Sequence, residues 1–220
     1  MKIDMHIHTK YSYDSDLELK IIVKLAKIRG LNGVAITDHN TLEGIEKMKK
    51  LKFDFLLVQG CEIKTTSGEI LAYGIQEEIE KGLSFEETLD RIHEQGGIAI
   101  APHPFDIFRR NFGENLKEGI DGVEIFNARC TFDQFNRLAF LEAKKRKLAF
   151  TAGSDAHLAS EIGNAYTIFN SNVSEEDEIL KLIRKRECRV SGRRSIPLVH
   201  LKSELTKWRK KIKKLFYFEV

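Results

Sequence analysis

The 220-residue chain reads as a parallel α/β barrel. Two observations predict this. Apolar, strand-length runs alternate with amphipathic helical stretches for most of the length, with no repeat and no linker composition between them. A histidine or an acidic residue then stands at the end of nearly every strand-length run, so these polar groups gather at one end of the strands. In an open sheet those ends form a line too long for one site. Closure into a barrel brings them around a single mouth.

The elements follow in order. Residues 3–7 form the first strand, with His6 in it and His8 just beyond. On a strand, residues two apart face the same side about 6.6 Å from each other, so both imidazoles can converge on one metal ion. Leu17, Ile21, Ile22, Leu25 and Ile28 share one face of a helix predicted over 17–29, with Asp16 as its cap. Strand 34–37 ends in Thr37-Asp38-His39, and a helix over 41–51 follows. Strand 55–59 leads to Gly60-Cys61-Glu62, and 61–75 contains a hairpin turning at Ser67-Gly68. Ser84-x-x-Glu87 is a capping box for a helix over 85–95, which Gly96-Gly97 stops. Strand 98–101 leads to His103. Strand 123–126, helix 131–146 and strand 148–151 come next, the last ending in Gly153-Ser154-Asp155-Ala156-His157. Strand 165–169 and a helix over 175–186, entered through Ser174, complete a barrel domain of residues 1–200. Residues 201–220 read as a basic amphipathic helix packed on the barrel or extending from it, with Leu205, Trp208, Ile212, Leu215 and Phe216 on one face.

Apolar content of 42% and charged content of 31% describe a globular chain. No apolar run exceeds strand length, so neither a membrane span nor a membrane partner is expected. The first residues enter a strand directly, which argues against a cleaved signal peptide. Cys61, Cys130 and Cys188 are scattered and form no CxxC pair. That usage fits reduced thiols in a cytoplasmic protein and disfavours a thiolate zinc site. The net charge of +3 conceals a tail with seven Lys or Arg against two Glu, so the rest is mildly acidic and announces no nucleic-acid-binding surface.

Eight candidate ligands stand at these strand ends: His6, His8, Asp14, His39, Glu62, His103, Asp155 and His157. Imidazole mixed with carboxylate suits Zn, Mn or Fe. Eight exceed the needs of one ion, and two or three divalent ions sharing a bridging carboxylate fit the count. Such ions, about 3.5–4 Å apart, supply a bridging hydroxide and clamp the oxygens of an in-line phosphoryl displacement. Metal-assisted hydrolysis of a phosphoester is therefore the expected chemistry. Asp38, beside His39 but facing the other way, is placed to support a ligand imidazole. Arg109, its neighbour Arg110, and Arg129 are candidate phosphate clamps at the same face, and Asn127 a donor to the same phosphate. His93 reads as a surface residue, and His200 receives no role.

Taken in order, His6-Ile7-His8-Thr9, Thr37-Asp38-His39-Asn40, Gly60-x-Glu62, His103-Pro104 and Gly153-Ser154-Asp155-Ala156-His157 closely resemble the PHP (polymerase and histidinol phosphatase) superfamily. Gln95-Gly96-Gly97 and Glu124-Ile125-Phe126-Asn127-Ala128-Arg129 are similar to segments of its stand-alone metal-dependent phosphoesterases. The resemblance runs from Met1 to about Ile196. It implies a distorted (β/α)7 barrel with a trinuclear metal centre at the C-terminal ends of the strands. It further implies that His6, His8, Glu62 and Asp155 hold one ion, and that Glu62 bridges to a second bound by His103. Asp14, His39 and His157 would hold the third. Several members carry another histidine ligand where this chain has Glu69, in Gly68-Glu69-Ile70-Leu71-Ala72-Tyr73-Gly74. The expected function is hydrolysis of a phosphorylated small molecule, nucleotide or short nucleic acid by a metal-activated hydroxide. Two other classes stay open. One is a non-catalytic or weakly catalytic metal-binding barrel subunit of a nucleic-acid-processing assembly. The other is C–N bond hydrolysis as in amidohydrolases, which also begin with HxH but bridge their ions with a carboxylated lysine.

Overall fold

The structure, a computed structural model, describes residues 1–109, 116–171 and 173–216; Arg110 and the side chains of Leu215 and Phe216 lie outside the described residues. Among the described residues nine strands form one sheet in chain order: β1 (Lys2–Ile7), β2 (Gly33–Ile36), β3 (Leu56–Lys64), β4 (Glu69–Tyr73), β5 (Ile98–Ala101), β6 (Gly122–Asn127), β7 (Ala149–Gly153), β8 (Ala165–Phe169) and β9 (Cys188–Gly192). Because β8 pairs with β1 as well as β7, the first eight close into a barrel, and β9 extends the sheet from β8. Helices α1 (Leu19–Ile28), α2 (Glu43–Met48), α3 (Phe85–Glu94), α4 (Asp133–Arg146), α5 (Glu176–Arg184) and α6 (Leu198–Phe216) follow β1, β2, β4, β6, β8 and β9 in turn.

The barrel is of the expected distorted α/β kind, but its sheet is mixed. β1 to β3 run parallel, as do β5 to β7, while β4 and β8 run against their neighbours. Eight strands close the barrel where seven were expected, and 165–169 is reversed. The connection explains the reversal. Residues 154–164 hold no helix, and a parallel return needs a crossover of about a dozen residues or more. The hairpin between β3 and β4 turns where expected, held by Thr65 Oγ1, which accepts from the amides of Ser67 and Gly68 at 3.1 Å each.

β2, β4 and β5 are buried throughout, as strands covered on both faces must be. One apolar cluster joins Ile3, Met5, Val58, Tyr73 and Ile98 to Ile179 and Ile183 of α5. That helix seals the end of the barrel where Met1 meets Phe169. β1 carries an extra residue between Asp4 and Ile7 relative to β2, and β6 one between Glu124 and Phe126 relative to β7. Such bulges break the strict alternation of a strand and re-aim its side chains. Both lie where the site begins.

The helix caps differ in detail. The Ser84–Glu87 capping box is present. α1, however, starts at Leu19 behind Glu18, and Asp16 instead pairs with Arg209 and accepts from Thr206 at 3.1 Å. Ser174 does not cap α5; its amide donates to Glu178 at 3.3 Å. The tail helix α6 begins at Leu198, ahead of the expected 201, and lies beside the mouth of the barrel. No helix among the described residues is long and apolar enough to cross a membrane.

Candidate metal centre

The strand ends deliver their polar side chains to one place. His6 lies on β1, with His8 and Asp14 beyond it; His39 follows β2, Glu62 is on β3 and Glu69 on β4. His103 follows β5, and Asp155 and His157 follow β7. All are buried except Asp14, which is half-buried. His103 and Asp155 take left-handed backbone, φ 30° and 54°, an uncommon conformation for residues with side chains that recurs at functional sites.

Among the described residues three groups of ligand atoms each converge within 4.8 Å: His8, Asp14, His39 and His157; His6, His8 and Glu62; and Glu62, Glu69 and His103. Asp155 Oδ1 adds to the second group, 3.4 Å from His8 Nε2 and 3.7 Å from His6 Nε2. Glu62 sits between groups, 3.2 Å from His8, His39 and His103. All nine expected ligands are thus brought together.

Hydrogen bonds fix which imidazole nitrogens are bare. His6 Nδ1 donates to Glu124 Oε1 at 3.0 Å. Ser12 Oγ gives its proton to Asp38 at 3.0 Å, so it accepts from His8 Nδ1 at 3.1 Å. With both Nδ1 atoms donating, the Nε2 atoms of His6 and His8 face each other 3.0 Å apart, with room for one proton or one metal ion between them. His157 Nδ1 likewise donates to the Asp155 carbonyl at 2.8 Å, leaving a bare Nε2 at 3.2 Å from Asp14 Oδ2. Facing acceptors repel unless a proton or a metal ion lies between them.

The same electrostatics perturb the titrating groups. Burial would lower the pKa of His6, but Asp155, Glu124 and Glu62 raise it well above the imidazole range. His39 is pushed up to about 9, against burial, by Glu62 and Asp14. Burial drives His157 down to about 3. Burial, reinforced by the nearby Glu62, raises Glu69. The site attracts positive charge.

A second set of residues holds the first. Asp38 accepts from the amide and hydroxyl of Thr9 at 2.6 Å each, and reaches His8 through Ser12 rather than directly. Asp4 ties β1 to the loop after β7, accepting from the amides of Ser154 and Gly163 at 2.8 and 2.7 Å. Asn127 is fully buried and gives its two amide hydrogens to Glu124 and Asp155, at 2.8 and 3.0 Å. It therefore positions carboxylates, and the expected contact with a substrate phosphate has no free hydrogen to make it. Ser12 and Glu124 are absent from the expected site residues.

A cleft of about 270 Å³ opens over the centre between Tyr13, Asp14, His39, Glu69, Arg109 and His157. Its far wall is α6, which contributes His200, Ser203, Glu204 and Lys207. Arg109 reaches the cleft and pairs with Asp155. Arg129 also lines the cleft, but it is only 4% exposed, bonded to Ser203 Oγ at 2.8 Å and 3.4 Å from Glu161, so it anchors α6 to the barrel as well. A wider groove of about 780 Å³ at the Met1 end, lined by Asn32 and Phe55, brings together no cluster of ligand side chains.

Comparison with known proteins agrees with this geometry. Residues 133–188 match the PHP-associated family. Over 141 residues the chain is 48% identical to uncharacterized protein MJ1587 of Methanocaldococcus jannaschii, an alignment spanning 58% of this chain and 82% of that one. Uncharacterized protein MJ0417 of the same organism is 38% identical over 189 residues, 81% of this chain and 75% of the relative. A solved two-domain protein from Bacteroides vulgatus, described as containing a predicted PHP-like metal-dependent phosphoesterase, shares the fold with TM-score 0.70 at 16% identity. The match covers 88% of this chain and 65% of that longer one. With its motifs in order on a closed barrel, and relatives this similar over most of their length, the chain belongs to the PHP superfamily.

Proposed function

We propose that the protein is a metal-dependent phosphoesterase. The observation that carries this reading is the pair of inward-facing Nε2 atoms of His6 and His8, 3.0 Å apart beside Glu62 and Asp155. The donor set fits divalent ions. Asp14 Oδ1, His39 Nδ1, Glu62 Oε2, His103 Nδ1 and Asp155 Oδ1 are buried without a hydrogen-bond partner, and folded proteins rarely leave such atoms unpaired. His6, His8, Glu62 and Asp155 would hold one ion, Glu62, Glu69 and His103 a second, and Asp14, His39 and His157 a third. Zn, Mn or Fe bound there would generate a nucleophile from water near neutral pH and neutralise phosphate oxygens.

The chain's own side chains then set the substrate. Arg109 is the more exposed of the two arginines lining the cleft and suits bidentate binding of a phosphate. Glu62, 3.2 Å from His8, His39 and His103, stands at the bridging position that amidohydrolases give to a carboxylated lysine, which favours phosphoester over C–N bond hydrolysis. A cleft of about 270 Å³ supports a phosphorylated small molecule, a nucleotide or the end of a short oligonucleotide. The test is elemental analysis of the purified protein, with hydrolysis of generic phosphomonoesters, phosphodiesters and short oligonucleotides with and without chelator. Chelator-sensitive turnover is expected. Metal-loaded protein inert on all three substrate types would overturn the reading.

A further inference from the structure

α6 meets the barrel by its polar side. Val199 and Ser203 are buried and Thr206 and Lys210 half-buried, one row of the helix facing the barrel. Polar bonds hold that row. Ser203 Oγ accepts from Arg129 at 2.8 Å, Thr206 Oγ1 donates to Asp16 at 3.1 Å, and Lys210 Nζ donates to the carbonyls of Lys10 and Ser12 at 2.7 Å each. On the opposite side Leu198, Leu201, Leu205, Trp208 and Ile212 are 53, 58, 61, 62 and 47% exposed.

Those five residues are spaced three, four, three and four apart, and the sequence continues the pattern to Leu215. That is the a/d seam of a coiled coil, which buries itself against another helix with the same seam. A helix lying on a membrane surface needs a broader apolar face. The exposed seam amounts to roughly 500 Å², and two copies face to face would bury on the order of 1,000 Å², the size at which specific interfaces begin.

We propose that α6 is a dimerisation helix, whose seam over residues 198–212 packs against the same seam of a second copy as a parallel two-fold coiled coil. Charge sets the direction. With Leu198, Leu205 and Ile212 at a positions and Leu201 and Trp208 at d, Glu204 falls at g and Arg209 at e; both are exposed, and in the single copy they pair with Lys207 and Asp16. In a parallel pair each Glu204 faces the Arg209 of the other helix, and two-fold symmetry makes the contact twice. An antiparallel pair would set the e positions, Lys202 and Arg209, against each other, a repulsion that offsets its favourable g contacts between Glu204 and Lys211. The docking row lies opposite the seam, so the two barrels stand on the outer sides without collision. No seam residue lines the cleft, and the inference stands apart from the proposed activity.

Trp208 is the chain's single tryptophan, which gives the seam its own reporter. Sedimentation equilibrium of the full chain across the micromolar range should show a dimer, with tryptophan emission moving to shorter wavelength as it forms. Leu201→Glu combined with Leu205→Glu should yield a monomer with native circular dichroism, because both positions are exposed in the single copy. Cys61, Cys130 and Cys188 are buried, so Leu201→Cys places the accessible thiol on the seam. Oxidation should then cross-link two chains, since a d residue meets its own counterpart in a parallel pair. A wild-type chain that stays monomeric, or a dimer indifferent to the double glutamate variant, would overturn the proposal. So would an emission shift on anionic vesicles with no dimer in their absence, which would assign the seam to a membrane surface. A dimer without the Leu201→Cys cross-link would overturn the parallel arrangement.

Discussion

Glu62 is in contact with four histidines, His6 at 3.5 Å and His8, His39 and His103 at 3.2 Å. Among the described residues it is the carboxylate that belongs to two of the three ligand groups. Glu62→Gln keeps the volume and removes the charge, so metal content by elemental analysis should fall and kcat/KM should drop more than the ~10–100-fold expected for an outer partner. Glu124 is such a partner. Its bond to His6 Nδ1 fixes the tautomer that turns Nε2 inward, and Glu124→Ala should weaken metal binding by about 10–100-fold in a competition titration. An affinity unchanged in that variant would mean that packing alone orients His6. The two residues also differ in how far sequence reveals them. Glu62 is legible because it ends a strand-length run among other ligand types. Glu124 sits inside a run with no spacing signal, and its partner lies 118 positions away, so only the closed barrel joins them. Ser12 is similar: a loop serine becomes meaningful once it lies between His8 and Asp38.

At the level of elements, periodicity places strands and helices because burial writes the pattern, but it does not set strand direction. β8 has the same apolar character as the parallel strands, and the missing helix over 154–164 is what turns it around. β9, Cys-Arg-Val-Ser-Gly, is too short and too exposed to show any alternation, and pairing with β8 defines it. α6 is the larger surprise, since an apolar stripe ordinarily marks the face that docks. Its docking face is instead the row ending in Lys210, whose ammonium grips the carbonyls of Lys10 and Ser12 at 2.7 Å each. Those carbonyls belong to the loop that carries Asp14. Lys210→Met keeps the stem but removes the grip, and charge-assisted bonds of this kind are each worth roughly 1.5–3 kcal/mol when buried, less when half-exposed. The loop should loosen, with about a tenfold loss of affinity for the ion assigned to Asp14, His39 and His157. Isothermal titration should show that loss while the melting temperature falls by only a few degrees. A large fall in melting temperature with unchanged metal affinity would make the contact purely structural.

Across the whole molecule, the site exists because the barrel closes. His6 and Asp155 come from the first and seventh strands, and the seam between those strands decides whether they meet. Backbone bonds join it: the amide of His8 donates to Ala156 O at 2.9 Å, and that of Ala156 donates to His6 O at 3.3 Å. Gly153, the last residue of β7, permits the approach, because a Cβ at that position would lie 2.6 Å from the backbone nitrogen of His6. That neighbour is main chain and cannot swing away, so a methyl group must push β7 and β1 apart. Gly153→Ala should therefore cost roughly 1–3 kcal/mol of stability from overpacking, since the remaining strands still hold the fold. Metal binding should suffer far more than that figure alone requires. Moving the seam shifts His6 against Asp155, and ligands from two strands must stay within a few tenths of an ångström of the geometry a metal demands. The measurements are circular dichroism for the fold, thermal melting for the cost and elemental analysis for the centre. Native spectra, a modest loss of melting temperature and nearly absent metal are the expected combination. Full metal content in Gly153→Ala would mean that the seam can yield without disturbing the ligands, and that closure at this point does not build the centre.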